Sequence, residues 1–355
     1  MKKLLLFPLL MLCACDAFSG PEATESINTD SLLVHLNFLA GDSLYGRGSG
    51  TEYELEAAEY VRDAFDGYGL SPAVSGWFQD FTFDTGPRLV SPQTVEALSS
   101  DPESVGAGWI GPVSETALST SSSTVAVQEQ AVPSQNVLGV IPGQGSLSGQ
   151  WVIIGAHYDH VGFTQVTPDS IVIYNGADDN ASGTALLLEL ARYLGHYFTQ
   201  GVARSLDRRS LMFHAYGAEE AGLRGSSYFA DNPTVSMDSI TAMVNLDMVG
   251  RMRGNSVTAH GASSSPLWAT LLTERNDHNL NIGFPSSMSG RSDHYPFYEA
   301  GKPALFLYTG THDEYHQPDD DVYLINTDGM VLLGDLTIAV LLDLMVRDDP
   351  PTFVP

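Results

Sequence analysis

The chain has 355 residues and a hydrophobic fraction of 43%, so it is long enough and apolar enough to bury a full-sized core. Its 43 Asp and Glu against 16 Lys and Arg give a formal net charge of -27. Sequence-independent binding to nucleic acid needs clustered Lys and Arg, so the composition argues against a nucleic-acid partner. It also argues against a disordered chain, and we expect one large domain.

The amino terminus has the pattern of a bacterial export signal. Lys2 and Lys3 precede the apolar stretch Leu4–Leu12, which is too short to span a bilayer comfortably. The stretch runs into Leu12-Cys13-Ala14-Cys15, which resembles the lipobox of bacterial lipoproteins with Cys15 as the modified residue. The alternative is an ordinary cleaved signal with two incidental cysteines. We expect an exported protein that contacts the cell envelope through its lipid anchor alone.

Composition then predicts how the rest of the chain is divided. Residues 16–29 are small, polar and acidic, as expected of a flexible tether. A single domain is predicted over 30–348, with a tail at 349–355. Within that domain, the stretch at about 86–134 is rich in Ser, Thr and Pro and predicts irregular structure or edge strands.

The periodicity of apolar residues predicts an α/β fold. Helical spacing predicts helices over 31–39, 52–68, 184–194 and 330–345. Apolar or alternating runs predict strands over 78–83, 135–141, 151–156, 210–216, 240–246 and 303–308. Continuous apolar strands with intervening helices indicate a largely parallel sheet that is covered on both faces.

Acidic residues and histidines follow four of these strands directly or within a few positions. They are His157-Tyr158-Asp159, Glu219-Glu220, Asp247 and the segment His312–His316, and the loop Asn175–Gly183 adds Asp178 and Asp179. Open α/β sheets bind ligands beyond the carboxyl ends of their strands, so we expect these side chains to converge. Singly, each has an ordinary explanation as a turn, a helix cap or a solvated side chain.

Together, so many carboxylates in one crevice need concentrated positive charge. Only Lys302 lies outside the signal segment among the lysines, so divalent ions are better suited to supply that charge. Carboxylate and imidazole donors without cysteine favour zinc, with cobalt or manganese as substitutes. Asp178, in a Gly-containing loop, is our candidate for a carboxylate shared by two ions.

In order and spacing, these segments resemble the M28 zinc peptidases, the group of co-catalytic aminopeptidases that also contains glutamate carboxypeptidase and the glutaminyl cyclases. The resemblance runs from about Leu33 to Leu342. It rests on His157–Asp159, Gly176–Gly183, Gly217–Glu220, Asn245–Arg251, Ser292–His294 and Tyr315–Asp320. It implies a three-layer sandwich, with a central, mostly parallel mixed sheet flanked by helices, as in zinc-dependent exopeptidases.

The same resemblance implies a role for each site residue. The implied ligands of two Zn²⁺ are His157 and Asp247 for one ion, Glu220 and His316 for the other, and Asp178 for both. Asp159 would orient His157, and the peptide bond from Asp178 to Asp179 would be cis. Glu219 would be the general base that takes a proton from the metal-activated water and passes it to the leaving amine.

The implied reaction is removal of the first residue from peptides with a free amino terminus. The alternatives on the same fold are a glutaminyl cyclase-like acyltransferase and a carboxypeptidase, and a non-catalytic binding domain is the rival from another class. His294, Tyr295 and Tyr308 are candidates for the substrate pocket. His312 ranks behind His316 as a ligand. The glycine-rich segment 46–50 is interpreted as a turn, and Arg251 as an ion-pair or packing residue.

Overall fold

The computed structural model describes residues 27–84, 88–89, 127–128, 131–200 and 205–355. The predicted export signal, Cys15 and residues 16–26 of the predicted tether lie outside the described residues. So does most of the stretch at 86–134.

The central sheet is mixed and has nine strands among the described residues. Its strands are β1 (Ser71–Pro72), β2 (Phe78–Asp84), β5 (Ala131–Ile141), β6 (Trp151–His157), β9 (Ser210–Tyr216), β10 (Ile240–Leu246), β11 (Ser256–His260), β12 (Asn281–Gly283) and β13 (Ala304–Tyr308). Two small two-stranded sheets pair β3 (Arg88–Leu89) with β4 (Val127–Gln128), and β7 (Phe163–Thr167) with β8 (Ser170–Ile173).

The middle of the sheet is parallel and its edges are mixed. The order is β1-β5-β9-β6-β10-β13-β11-β12, and β2 also pairs with β5. Strands β9, β6, β10 and β13 run parallel to one another, whereas β5 and β11 run antiparallel to their inner neighbours. The carboxyl ends of the four inner strands therefore meet at one edge, where the acidic segments follow them.

Seven helices of the described chain cover the two faces of this sheet. They are α1 (Thr29–Leu39), α2 (Glu52–Gly67), α3 (Gly183–Gln200), α4 (Arg224–Asp231), α5 (Leu267–Glu274), α6 (His294–Glu299) and α7 (Thr327–Val346). A larger core contains Val152 and Ile154 from β6 together with residues of α1, α2, α3 and α7. A smaller core contains Ile153 with Phe229 of α4 and Phe297 of α6. Alternate residues of one strand point to opposite faces, so the molecule has three layers.

This architecture confirms the predicted α/β class and explains its sequence pattern. Strand β6 is buried along nearly its whole length because helices cover both faces, which is why its run of apolar residues does not alternate with polar ones. Helix α7 is apolar enough, by length and composition, to cross a membrane, with a mean hydropathy of 2.1. However, 61% of that stretch is buried in the domain, as expected of a core helix.

The ends of the domain are more ordered than the sequence predicted. Ile27, placed in the tether, is 3% exposed and packs in the larger core, and α1 begins two residues later. The predicted tail also packs on the domain: the backbone N–H of Val354 donates to the Ser264 carbonyl at 2.8 Å, and Phe353 contacts Tyr298. Strand β5 begins at Ala131, inside the stretch for which we expect irregular structure or edge strands, and it has paired strands on both sides.

Candidate active site

Two groups of metal-ligand side chains lie at the carboxyl edge of the inner strands. One contains His157, Glu219 and Asp247; the other contains His160, Asp179, Glu220 and His316. Within each group the potential ligand atoms all lie within 4.8 Å of one another. His157 is the last residue of β6, and Asp247 directly follows β10, so the parallel register of these strands brings the first group together.

Asp179 belongs to the second group and also faces the first. Its Oδ1 is 3.3 Å from Nε2 of His157, and its Oδ2 is 2.9 Å from Nε2 of His316. His157 Nε2 also lies 3.6 Å from Asp247 Oδ1, and His316 Nε2 lies 3.2 Å from Glu220 Oε1. One carboxylate therefore faces a pair of donors on each side, which is the arrangement of a ligand shared by two ions.

Asp178, the predicted shared ligand, does not occupy this position. Its Oδ1 accepts hydrogen bonds from the Gly250 backbone at 2.7 Å and the Ser182 hydroxyl at 3.0 Å, and its Oδ2 lies 3.2 Å from His312. The cis peptide bond, expected between Asp178 and Asp179, lies between Asp179 and Asn180. The physical reason is that Gly250, Ser182 and His312 hold the Asp178 carboxylate, so that the carboxylate of the next residue, Asp179, faces the other two histidines.

The loop itself is fixed by side-chain contacts on both sides of Asp179. Gly176 precedes it with a φ of 58°, and a Cβ there would lie 2.2 Å from the Asp179 carbonyl. Asn180 donates from its side chain to the Leu246 carbonyl at 3.0 Å and accepts from Gly183 N–H at 2.9 Å. These bonds tie the loop to the end of β10 and to the first turn of α3.

The donor spacing fits metal ions. Donor atoms bound to one zinc in a tetrahedral site lie about 3.4 Å apart, as expected from bond lengths near 2.1 Å. The separations from His157 Nε2 to Asp179 and Asp247, and from His316 Nε2 to Asp179 and Glu220, are 2.9–3.6 Å and bracket that value. The donors are imidazoles and carboxylates only, so the residues fit zinc.

Charges within the cluster are strongly coupled. Burial raises the pKa of Glu219 well above its usual value, and neighbouring carboxylates act in the same direction. Burial lowers the pKa of His316, but Asp179 and Glu220 together raise it to about 10. A metal ion competes with these protons for the same atoms, so binding of the ion releases protons and weakens as pH falls.

Two buried carboxylates hold the Ala218-Glu219-Glu220 turn from beneath. Asp159 accepts from Glu219 N–H at 2.9 Å and from Glu220 N–H at 3.2 Å, and Glu54 of α2 accepts from Ala218 N–H at 2.9 Å. Asp159 was predicted to orient His157. Its carboxylate is 3.6 Å from His157 Nδ1, whereas its backbone carbonyl is 3.2 Å away and is the hydrogen-bond partner.

The family model for peptidase family M28 matches residues 136–341, which contain every residue of both donor groups. The chain belongs to peptidase family M28.

An individual relative and solved structures agree with this membership. Aminopeptidase YwaD of Bacillus subtilis is 31% identical over 232 residues, which are 61% of this chain and 46% of YwaD. The chain thus spans about half the length of that relative. The aminopeptidase from Aneurinibacillus sp. strain AM-1 is similar in fold, with a TM-score of 0.65, 20% identity, and coverage of 93% of this chain and 96% of that chain.

Two further structures bear on the alternatives. BSAP, a zinc aminopeptidase from Bacillus subtilis, has a TM-score of 0.64, 19% identity, and coverage of 92% of this chain and 97% of that chain. A Porphyromonas gingivalis glutaminyl cyclase has a TM-score of 0.59, 18% identity, and coverage of 89% and 98%. The M28 fold of this chain is therefore shared by both kinds of enzyme.

Of the three predicted pocket residues, His294 is placed least favourably in this M28 domain. Its side chain is fully buried on α6 against Phe306, which does not fit direct contact with a substrate. Tyr295 and Tyr308 are partly exposed, and the Tyr308 hydroxyl bonds to Thr311. These two tyrosines remain candidates for the pocket.

His312 and Arg251 support the site from outside the donor groups. His312 Nδ1 bonds to Glu314 at 3.1 Å, and Arg251 pairs with the same carboxylate at 3.1 Å. The chain Asp178–His312–Glu314–Arg251 thus braces the first carboxylate of the Asp-Asp pair. Arg251 is the ion-pair residue that the sequence allowed.

Arg47 is the residue that sequence reasoning missed most clearly. It sits in the segment interpreted as a turn, yet its guanidinium is fully buried and donates to the carbonyls of Leu39, Tyr158, Asn175 and Gly176. Two of these carbonyls flank the segments that carry His157 and Asp179. No local sequence signal marks it, because its contacts join segments that are far apart in the sequence.

The shared position of Asp179 predicts unequal effects of two neighbouring substitutions. Asp179→Asn should remove a charged donor that faces both groups, so the variant should lose bound zinc on dialysis. Asp178→Asn keeps an Oδ1 acceptor for Gly250 and should retain them. Metal content by plasma mass spectrometry, with circular dichroism as the folding control, measures both. Zinc loss in Asp178→Asn with retention in Asp179→Asn would reverse the assignment.

Proposed function

We propose that this chain is a di-zinc aminopeptidase that hydrolyses the first peptide bond of peptides with a free amino terminus. The observation that carries the proposal is Asp179, whose two oxygens face two separate donor pairs, with Glu219 beside the first of them. Membership of peptidase family M28 and the aminopeptidase names of its relatives support the same conclusion.

The residues would hold the two ions as follows. His157, Asp247 and Asp179 would bind one zinc, and Glu220, His316 and Asp179 the other. Ser292 would keep Asp247 in place, because its hydroxyl donates to Asp247 Oδ2 at 2.6 Å and accepts from Asn245 at 2.7 Å. Bound zinc supplies Lewis-acid polarisation of a carbonyl and lowers the pKa of water.

Glu219 would move the protons. It is a member of the first donor group but is not needed as a ligand, because His157, Asp247 and Asp179 already supply three donors. Its backbone N–H is fixed by Asp159, so its carboxylate is directed into the crevice by the turn rather than by a metal bond. It takes the proton of the attacking water and gives it to the leaving amine.

Preference for a free amino terminus follows from charge. The crevice is lined by carboxylates, and a protein with a formal net charge of -27 attracts cations. An N-terminal ammonium is the cationic end of a peptide, whereas a carboxypeptidase needs cationic residues to bind a terminal carboxylate. Arg47, the fully buried arginine nearest the donors, is bound to backbone carbonyls.

Product analysis of a peptide library tests the activity. The purified protein, supplied with zinc, is incubated with peptides that carry free or acetylated amino termini, and the products are identified by mass spectrometry. We expect stepwise loss of the first residue from the free peptides alone. Loss of ammonia from N-terminal Gln would instead favour the cyclase, loss of the last residue a carboxypeptidase, and no product a binding role.

Glu219→Gln tests the proton-transfer role. The amide keeps the shape of the side chain but cannot accept the proton, so kcat should fall by about 10²- to 10⁴-fold. Zinc content should stay at the wild-type value because three other donors remain for each ion. A variant that keeps full activity, or that loses activity only in proportion to its zinc, would contradict the assignment.

We also propose that the chain is exported and anchored to the cell envelope by a lipid on Cys15. The support is the basic and apolar amino terminus followed by a lipobox-like Leu12–Cys15. Cys15→Ser should move the protein from the detergent phase to the aqueous phase in a Triton X-114 partition and should abolish incorporation of labelled fatty acid. Unchanged partition would favour an ordinary cleaved signal or another anchor.

A further inference from the structure

His160 is a fully buried histidine that belongs to the second donor group but lies outside the segments on which the family resemblance rests. Its backbone N–H donates to the Arg47 carbonyl at 3.0 Å. Its ring packs so closely on Gly176 that a Cβ there would lie 2.4 Å from Cδ2. The ring position is therefore fixed by the backbone on two sides, without help from a metal.

The fixed ring directs one nitrogen at Glu220. Nδ1 lies 2.8 Å from Glu220 Oε1, which is a hydrogen-bond distance, and 3.9 Å from Asp179 Oδ2. An ionised carboxylate can only accept, so the bond places the ring proton on Nδ1. Nε2 is buried and has no hydrogen-bond partner among the described residues. No other site residue of the described chain makes a side-chain hydrogen bond this short to Glu220.

We propose that His160 is a positioning residue for the ion bound by Glu220 and His316. Its Nδ1–H hydrogen bond holds the carboxylate of Glu220 in place before that ion binds. The inference rests on the proposed two-ion site. Glu220 has a long side chain whose ordering costs conformational entropy, and a preformed hydrogen bond removes part of that cost from metal binding. Such outer hydrogen bonds typically change metal affinity by about 10- to 100-fold.

The effect should be confined to one of the two ions. His160 contacts Glu220 and lies near His316, whose ring is 5.5 Å away, but it is absent from the group that contains His157 and Asp247. Loss of its hydrogen bond should therefore weaken only the ion bound by Glu220 and His316. A general loss of folding would instead weaken the binding of both ions together.

Two isosteres separate the hydrogen bond from the bulk of the ring. In His160→Asn, the amide Nδ2 is bonded to Cγ, as Nδ1 is in histidine, and can donate to Glu220. In His160→Gln, the amide nitrogen corresponds instead to Nε2, which has no partner. His160→Ala removes both the hydrogen bond and the bulk of the ring. His278→Asn, at an exposed site, is the control for loss of a histidine elsewhere.

The experiment is chelator competition on the zinc-loaded full-length protein, with visible absorption of the cobalt-substituted protein as a second readout. We expect the wild-type protein to bind two ions. The affinity for one of them should fall about 10- to 100-fold in the Ala and Gln variants and should be restored in the Asn variant. Cobalt absorption at saturating metal should be unchanged, because the ligands are unchanged.

Three results would overturn the inference. If His160→Ala binds each of the two ions as tightly as wild type does, His160 has no positioning role, although the two-ion site remains. Loss of the second ion in the Asn variant together with an altered cobalt spectrum would make His160 a ligand. A wild-type protein that binds fewer than two ions would overturn the proposed function and this inference together.

Discussion

Repulsion among buried carboxylates at one edge of the sheet is the constraint on which the site depends. Burial, Glu220 and Asp247 raise the pKa of Glu219 well above its usual value, and Asp179 acts together with burial to raise the pKa of Asp247. Removing like charges from water is costly unless opposite charge is placed among them. Two divalent ions at the observed donor pairs would supply that charge where the carboxylate oxygens converge.

The fold contributes a fixed positive charge of its own. Arg47 is fully buried, and its guanidinium lies near Asp159, Asp179, Asp320 and Glu220, although burial lowers its pKa to about 10. It bonds to backbone carbonyls rather than to these carboxylates, so it stabilises their charge without occupying the oxygens that would bind metal. The same four bonds join α1 to the loops after β6 and β8, which carry His160 and Asp179.

The backbone of the catalytic turn is held in a similar way. Asp159 and Glu54 accept the successive N–H groups of residues 218–220, and Ser49 donates to Asp159 at 2.6 Å. Burial raises the pKa of Glu54 to about 8, with Asp159 acting in the same direction. The turn that carries Glu219 and Glu220 is thus positioned by buried carboxylates that bond to its backbone. His160 extends this support to the side chain of Glu220.

Much of this could be predicted from the sequence, and the failures have physical causes. The inner strands and the α/β class could be predicted from apolar runs, because buried parallel strands are apolar along their whole length. The acidic segments could then be assigned to the ends of those strands. The choice between Asp178 and Asp179 depends on the backbone conformation of one loop, which composition and spacing do not determine. Arg47 and Glu54 reach the site only through tertiary contacts across more than fifty residues, so no local pattern marks them. His160 lies three residues after His157, but its contact with Glu220 depends on the fold.

The proposed function depends on Asp179 as the ligand that joins two metal sites. A crystal of the zinc-loaded protein tests this directly, with anomalous diffraction measured on both sides of the zinc absorption edge. We predict two anomalous peaks, one between His157 and Asp247 and one between Glu220 and His316, with the two oxygens of Asp179 directed at different peaks. A single peak, or two peaks joined by Asp178, would contradict it.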